Sequence, residues 1–177
     1  LVFIVGFISL VYLFPTQLGS KEAANLGEYN PINDVSGWSE FKGHFEALVA
    51  KDIQSNKMPS GAPILTQKWF PGGHILFYVA QPLHMPVIAV GKLEDVHKFA
   101  WLNQSQNSLQ VGQNAYYIAP SNLPSDPQVL YGAYFEKIEL AASFPIISKG
   151  VELRNFKVYR LLNCNRVPSA ILAPIKR

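Results

Sequence analysis

The sequence has one cysteine and few charged residues. Because Cys164 is the only cysteine among 177 residues, the chain can form neither an internal disulfide nor a cysteine-based metal site. Charged residues make up 15 % of the chain, against ~25 % in typical soluble domains. Part of this deficit lies at the start, since residues 1–14 carry no charge. The cysteine count leaves the compartment open, because an exported protein need not contain disulfides.

Several motifs on which common enzyme classes depend are also missing. The sequence contains no Walker phosphate loop, no GxGxxG, no GxSxG, no HExxH and no CxxC. The four histidines are His44, His74, His84 and His97, and no two of them are four residues apart, so no metal site is predicted. No cofactor is expected in this chain either. The basic residues are scattered and form no stripe interleaved with aromatic residues, which argues against a nucleic-acid partner.

The first segment is a continuous apolar run that ends at Pro15. It is shorter than the ~20 residues of a membrane-spanning helix. We interpret residues 1–15 as the end of a transmembrane helix that begins upstream, since neither Met nor a basic residue precedes the run. A buried helix of a freestanding domain and the core of a signal peptide are the alternatives. The sparse positive charge between residues 16 and 39 favours the non-cytoplasmic side.

The next segments predict a linker and then alternating helices and strands. Residues 16–37 are rich in Gly, Asn, Ser and Pro and are interpreted as a linker. An amphipathic helix is predicted from Trp38 to Ile53, with Asp34 or Ser36 as its cap. Further predicted elements are strands at 62–67, 86–90 and 114–119, a buried helix at 74–81 and a short helix or turn at 96–102. The continuous apolar run 86–90 is typical of a central parallel strand.

The last part of the chain predicts a hairpin. Residues 135–140 and 156–162 alternate apolar and polar side chains, with a turn signal at 148–150 between them. Strand–helix alternation followed by an antiparallel hairpin predicts an α/β fold, a three-layer domain with a mixed sheet over residues 38–165. Residues 166–177, interrupted by Pro168 and Pro174, are expected to form a loosely structured tail.

Six residues are candidates for substrate binding: Trp69, Gly72, Gly73, His74, Glu94 and Asp95. Gly72 and Gly73 follow a predicted strand and open a predicted helix, where free backbone amides would bind a phosphate. The alternative is that these glycines permit close packing of helix on sheet. His74 is expected to pack or hydrogen-bond at the start of the same helix.

The remaining candidates are two acids and the aromatic residues around them. Glu94 and Asp95 would orient a sugar or a cation, or would cap the following helix through its dipole. Trp69 and Trp101 would stack on a sugar ring, or would pack against the core or its rim. Asn103 begins an Asn-Gln-Ser glycosylation sequon, which is a frequent chance match.

The order of these segments resembles a known family. The resemblance is carried by Gly37-Trp38 at the start of a helix, Lys68-Trp-Phe followed by Ile75-Leu-Phe-Tyr-Val79, Pro86-Val-Ile-Ala-Val90, His97-Lys-Phe-Ala-Trp101 and Asn114-Ala-Tyr-Tyr-Ile118. It is similar to the soluble region after the last membrane helix in bacterial relatives of the protein O-mannosyltransferase and aminoarabinose-transferase superfamily. Residues 97–101 stand where that family has Gln-Tyr-x-x-Trp, and the Gln-Tyr is not kept.

The resemblance covers about residues 15–118. It implies a membrane-embedded parent enzyme that transfers a sugar from a polyprenyl-phosphate donor outside the cytoplasm. The family's catalytic acids lie in a loop between membrane helices to which no position here corresponds, so no catalytic residue is assigned. The chain is then expected to be a non-catalytic periplasmic domain. Its expected partners are the lipid bilayer, the transmembrane part of the same chain, and a lipid-linked sugar or its acceptor. A membrane-anchored binding or interaction module without enzymatic activity is the alternative.

Overall fold

A computed structural model of the chain contains a five-stranded sheet with helices packed against it. The structure describes residues 2–13, 18–105 and 108–168. The elements are α1 (Val2–Leu13), α2 (Pro31–Val35), α3 (Trp38–Gln54), β1 (Ile64–Thr66), α4 (Trp69–His74) with a π-helical continuation (Ile75–Ala80), β2 (Val87–Ala89), α5 (Leu93–Val96), α6 (Phe99–Ser105), β3 (Ala115–Pro120), α7 (Pro127–Tyr131), β4 (Phe135–Ser148) and β5 (Val151–Cys164).

The sheet has the order β2-β1-β3-β5-β4. Strand β1 pairs in parallel with β2 and β3, whereas β5 runs antiparallel to both β3 and β4. Parallel neighbours need a crossover connection, and the helical segments α4 to α6 lie in the connections among β1, β2 and β3. The prediction of an α/β fold with a mixed sheet is therefore confirmed.

The late hairpin is present and is longer than its sequence pattern indicated. Strands β4 and β5 have 14 residues each and pair along almost their full length. Lys149 and Gly150 both have positive φ, 50° and 78°, as the two-residue turn of a tight hairpin requires. Two register shifts, one between Leu140 and Ala142, interrupt the alternation in β4 and so hid the strand's true length.

Strand β2 was predicted to be central, but it lies at the edge of the sheet. The pattern was misleading because Val87, Ile88 and Ala89 are all buried, as they would be in a central strand. The free edge is covered by the side chain of Asn103. The side-chain amide nitrogen of Asn103 donates to the Ala89 carbonyl at 2.7 Å, and the Ala89 N–H donates to Asn103 Oδ1 at 3.0 Å.

Helix α3 packs its apolar stripe onto one face of the sheet, as predicted. The ring of Phe41 stacks on Phe156 of β5 at 4.2 Å between centroids, and Phe45 meets Tyr116 of β3 edge-on at 5.3 Å. The cap differs from the prediction, since neither Asp34 nor Ser36 caps the helix. The N-cap residue is Gly37, which has φ 75° and makes no side-chain hydrogen bond.

The opposite face of the sheet is covered differently. Leu65, Ile88, Tyr117 and Leu161 pack there against Tyr131 of α7, with Leu109 nearby. Among the described residues, this cover consists of a five-residue helix and irregular segments and not of a layer of long helices. The domain thus has helices on both sides of the sheet, but the two layers are unequal.

The segment predicted to be a linker is part of the folded domain from residue 18 onward. Asn33 of α2 is fully buried, and its amide donates to the carbonyls of Gly27 and Leu153, each at 3.1 Å. Ser121 donates to the Leu26 carbonyl at 2.8 Å. Hydrogen bonds, not apolar contacts, attach this segment to the domain, and this is why polar residues and glycine dominate its composition. A flexible linker has a similar composition, so composition alone could not distinguish the two. Residues 16–17 lie outside the described residues.

Both ends of the chain are described in part. In α1, the side chains from Val2 to Ile8 are exposed, with Phe3 at 94 %. Among the described residues, no helix is long and apolar enough to cross a bilayer. Of the predicted tail, Pro168 is buried, and residues 169–177 lie outside the described residues, as do residues 14–15.

Candidate functional site

A cavity of about 200 Å³ lies beyond the carboxyl ends of the parallel strands β1 and β3. It is lined by Glu28, Thr66, Gln67, Lys68, Phe70, Pro71, Tyr117, Ile118, Pro120, Asn122, Leu123, Pro124 and Ser125. Open α/β sheets bind ligands in this position, because the loops that leave the strands diverge there. The cavity is therefore the first candidate site that the fold itself provides.

Several polar groups of this cavity are held by neighbours. The hydroxyls of Tyr117 and Ser125 are 2.8 Å apart, and burial raises the pKa of Tyr117 to about 12. Tyr117 is thus a neutral hydroxyl at physiological pH. The Glu28 carboxylate accepts a hydrogen bond from Asn25 at 2.7 Å. Together with the exposed Lys68, the cavity offers both acceptors and donors to a polar ligand.

Asn122 connects the cavity wall to a buried cation. The guanidinium of Arg154 is stacked on Trp38 at 4.9 Å and on Phe156 at 4.3 Å, and it donates to Asn122 Oδ1 at 3.1 Å and to the Ser36 carbonyl. Burial lowers the pKa of Arg154 to about 9. The Asn122 amide in turn donates to the Asp34 carboxylate at 3.1 Å. The orientation of Asn122 is therefore fixed from both sides.

His74 is in an aromatic stack behind this cavity. Its ring is parallel to Trp38 at 5.2 Å and to Tyr78 at 5.8 Å, and Phe70 meets it edge-on at 5.0 Å. Burial, followed by the positive charge of Arg154, lowers the pKa of His74. The packing role expected for His74 fits this arrangement.

The two glycines lie in the first helical turn after a kink within α4, because Phe70 has an extended backbone with φ −111° and ψ 113°. The N–H of Gly72 donates to the Lys68 carbonyl at 3.1 Å, so this amide is not free for a phosphate. A Cβ on Gly72 would lie 3.1 Å from Thr66 and 3.2 Å from Phe99, which fits the packing alternative. Gly73 is exposed, with open space where its Cβ would be.

The two acids are in the first turn of α5, where the helix dipole favours negative charge. They face different hollows. Asp95 lines a cavity of about 290 Å³ with Gln67, Val90, Gly91, Lys92, Leu130, Tyr134 and Pro168. Glu94 lines an open hollow of about 470 Å³ with Leu93, His97, Lys98 and Trp101. Trp69 contacts the ring of His97 at 5.8 Å between centroids.

The structure thus divides the six predicted residues among several places. None of them lines the cavity at β1 and β3, although their neighbours Lys68, Phe70 and Pro71 do. Sequence reasoning missed Glu28 and Asn122, because one lies in the predicted linker and the other in a loop without a motif. The sequence did contain one indication of Asn122, because a Ser-Asn-Leu-Pro-Ser turn directly follows the buried strand β3.

Two further sequence features can be placed. Asn103 of the sequon uses its amide to cover the edge of β2, as described above. Within the described residues, no group of three or more His, Cys, Asp or Glu side chains is arranged to hold a metal ion.

Comparisons of the chain with protein-family models, with curated proteins and with solved structures gave no match.

Proposed function

We propose that this chain is a non-catalytic, extracytoplasmic domain of an integral membrane glycosyltransferase that uses a polyprenyl-phosphate sugar as donor. The observation that carries the proposal is helix α1, whose described large side chains are apolar and exposed; they are Val2, Phe3, Ile4, Val5, Phe7 and Ile8. Contact with water is unfavourable for each of them by ~25 cal/mol per Å² of apolar surface. A lipid environment removes this penalty.

The aromatic segments support the proposal in a second way. The segments that resemble the superfamily fall on Trp38 at the start of α3, on the start of α4, on its π-helical continuation and on Trp101 of α6. Trp38 and Tyr78 sandwich His74, so the start of α3, α4 and its π-helical continuation build one aromatic cluster. Trp101 is outside this cluster and is 67 % exposed.

The function of such a domain is to cover the external opening of a membrane-embedded active site. A rigid sheet-based domain can exclude water from the reaction and position an acceptor. The cavity beyond β1 and β3 and the hollow beside Trp101 are two surfaces that it offers for that purpose.

The test is deletion of residues 36–177 from the parent enzyme, with sugar transfer measured in isolated membranes. We expect transfer to fall while the membrane content of the truncated enzyme, measured by immunoblot, stays equal. A point variant avoids truncation: Lys68→Glu at the cavity rim changes an exposed side chain and leaves the core intact. Undiminished transfer in both variants contradicts the proposal.

The alternative, a membrane-anchored binding module without enzymatic activity, shares the exposed helix α1. The open reading frame of the parent gene separates the two. Several hundred upstream residues with many apolar spans support the transferase, and a start codon immediately before Leu1 supports the module.

A further inference from the structure

We propose that the hollow between α5 and α6 binds a pyranose unit of a saccharide. It is lined by Leu93, Glu94, His97, Lys98 and Trp101 and has a volume of about 470 Å³. The hollow is shallow and open to solvent, so it would contact one face of a single ring and not enclose it. The inference deepens the proposed function, on which it rests for its biological setting, by naming a ligand class for the domain.

The hollow has an aromatic wall that is exposed and well anchored. Trp101 is 67 % exposed, although it belongs to a helix that contributes the buried Phe99 to the core. The same helix is fixed to the sheet edge by the two hydrogen bonds between Asn103 and Ala89. The exposed indole presents a flat apolar surface, and its two rotatable side-chain bonds limit the entropy lost on binding. The apolar C–H face of a pyranose ring is complementary to such a surface.

The rim of the hollow has both kinds of polar partner that sugar hydroxyls need. Glu94 supplies carboxylate oxygens as acceptors, and the ammonium group of Lys98 supplies donors. The Glu94 carboxylate is 3.9 Å from Lys92, and both side chains are 78 % exposed, so this contact is weak and leaves the carboxylate accessible. His97, between the two acids and α6, adds a ring nitrogen and contacts Trp69.

The charge of the hollow favours a sugar over a membrane surface. At a bilayer, Glu94 would be placed against the anionic headgroups that attract Lys98 and Lys92. A neutral polyhydroxylated ring does not meet this objection.

The three tryptophans provide a direct measurement, because each gives one indole N–H signal in an amide NMR spectrum. The 177-residue chain in neutral detergent micelles is titrated with the methyl glycosides of glucose, mannose and N-acetylglucosamine. We expect the signal of Trp101 to move, with a smaller movement of Trp69. Trp38 is 1 % exposed and donates to the Asp34 carbonyl at 3.0 Å, so its signal is the internal control and stays fixed.

Point variants test which side chains of the hollow contact the glycoside. Trp101→Ala is expected to weaken glycoside binding about tenfold, as truncation of an aromatic anchor does. Glu94→Gln keeps the shape of the side chain and is expected to weaken glycoside binding by a smaller factor. Phe77→Ala is the matched control, because Phe77 is 65 % exposed and does not line the hollow, and it should bind as the parent does. Equal thermal unfolding of the variants, monitored by circular dichroism, excludes loss of fold.

Two results would overturn the inference. The first is that no glycoside moves the Trp101 signal; broadening of the Trp101 and Trp69 signals by spin-labelled lipid would then assign the surface to the bilayer. The second is that sorbitol, which has the hydroxyls but no ring face, moves the Trp101 signal equally. Both results are independent of sugar transfer by the parent enzyme, so failure here and failure of the proposed function are separate outcomes.

Discussion

Arg160 and Asp52 form a bidentate ion pair inside the domain, with Nε–Oδ2 and Nη2–Oδ1 distances of 2.7 Å each. Asp52 belongs to α3 and Arg160 to β5, so the pair joins the helix to the sheet. The hydroxyl of Tyr116 donates to the same carboxylate at 3.0 Å, and burial, reinforced by Asp52, holds the pKa of Tyr116 above its usual range. Arg160 also donates to Glu139 at 3.0 Å. The buried charges of Arg160 and Asp52 thus compensate each other, and the partly exposed Glu139 adds a second carboxylate.

We predict that Asp52→Asn lowers the free energy of unfolding by about 1.5–3 kcal/mol, because it replaces the bidentate carboxylate partner of Arg160 by a neutral amide while Glu139 remains paired with Arg160. Urea unfolding followed by circular dichroism measures the change. The matched control is Glu46→Gln, which breaks the exposed pair with Lys42 on the same helix. That variant should lose no more than about 0.5 kcal/mol. Similar losses in the two variants would show that burial does not strengthen the inner pair.

A second prediction compares two glycines of the α3 region. Gly37→Ala should destabilise the domain by at least about 1–2 kcal/mol, since the backbone has φ 75° and the new Cβ would lie 2.9 Å from Ile146. Gly43 is in the interior of α3, with open space around its Cβ position. Gly43→Ala should therefore stabilise the domain by about 0.5–1 kcal/mol. Opposite shifts of the thermal midpoint are expected, and a shift of the same sign in both contradicts the assigned backbone conformations.

The ion pair between Asp52 and Arg160 also shows which part of the fold could not be predicted from the sequence. The apolar stripe of α3 was predictable, because Trp38, Phe41 and Phe45 recur at helical spacing and are buried. Asp52 falls on the same buried side but looks like a surface acid. Its partner is 108 residues away, and no local pattern indicates which strand will lie beneath the helix. Only the strand order of the sheet brings the two residues together.

The candidate site was predictable to a similar extent. The sequence indicated aromatic residues and acids near the ends of β1 and β2, and Trp69, Glu94 and Asp95 do line or flank hollows there. It did not indicate that β3 would be the other neighbour of β1. The cavity between those strands, with Asn122 in its wall, therefore remained hidden.

A third prediction concerns the edge of β2. Asn103→Ala removes both hydrogen bonds to the buried Ala89 backbone and should cost about 1–3 kcal/mol, the penalty of leaving buried polar groups unpaired. Asn103→Asp retains an acceptor for the Ala89 N–H but sets a carboxylate against the Ala89 carbonyl, so it should be no better than alanine. Gln81→Ala, on an exposed turn, is the control. Hydrogen exchange at Ala89 measures the effect locally, and unchanged protection in Asn103→Ala contradicts the role assigned to this side chain.

The fourth prediction is a pH dependence of stability that originates at His74. Burial and the nearby Arg154 lower the pKa of His74 in the folded state below its ordinary value of 6.5, so the folded protein binds this proton more weakly than the unfolded chain does. The stabilising contribution is complete above pH 6.5 and is lost as the pH falls below that value.

His74→Phe keeps a ring between Trp38 and Tyr78 but cannot titrate, so the free energy of unfolding of the variant should fall less than that of the parent between about pH 8 and pH 5. Glu139 contributes elsewhere, because hydrogen bonds from Lys137 and Arg160 lower the pKa of its carboxyl below 4.5, and its stabilisation is lost only in more acidic solution. Urea unfolding at a series of pH values gives the free energy of unfolding against pH for the parent and for His74→Phe. Parallel profiles would mean that His74 is protonated as readily in the folded domain as in the unfolded chain, and that the aromatic stack does not shield it.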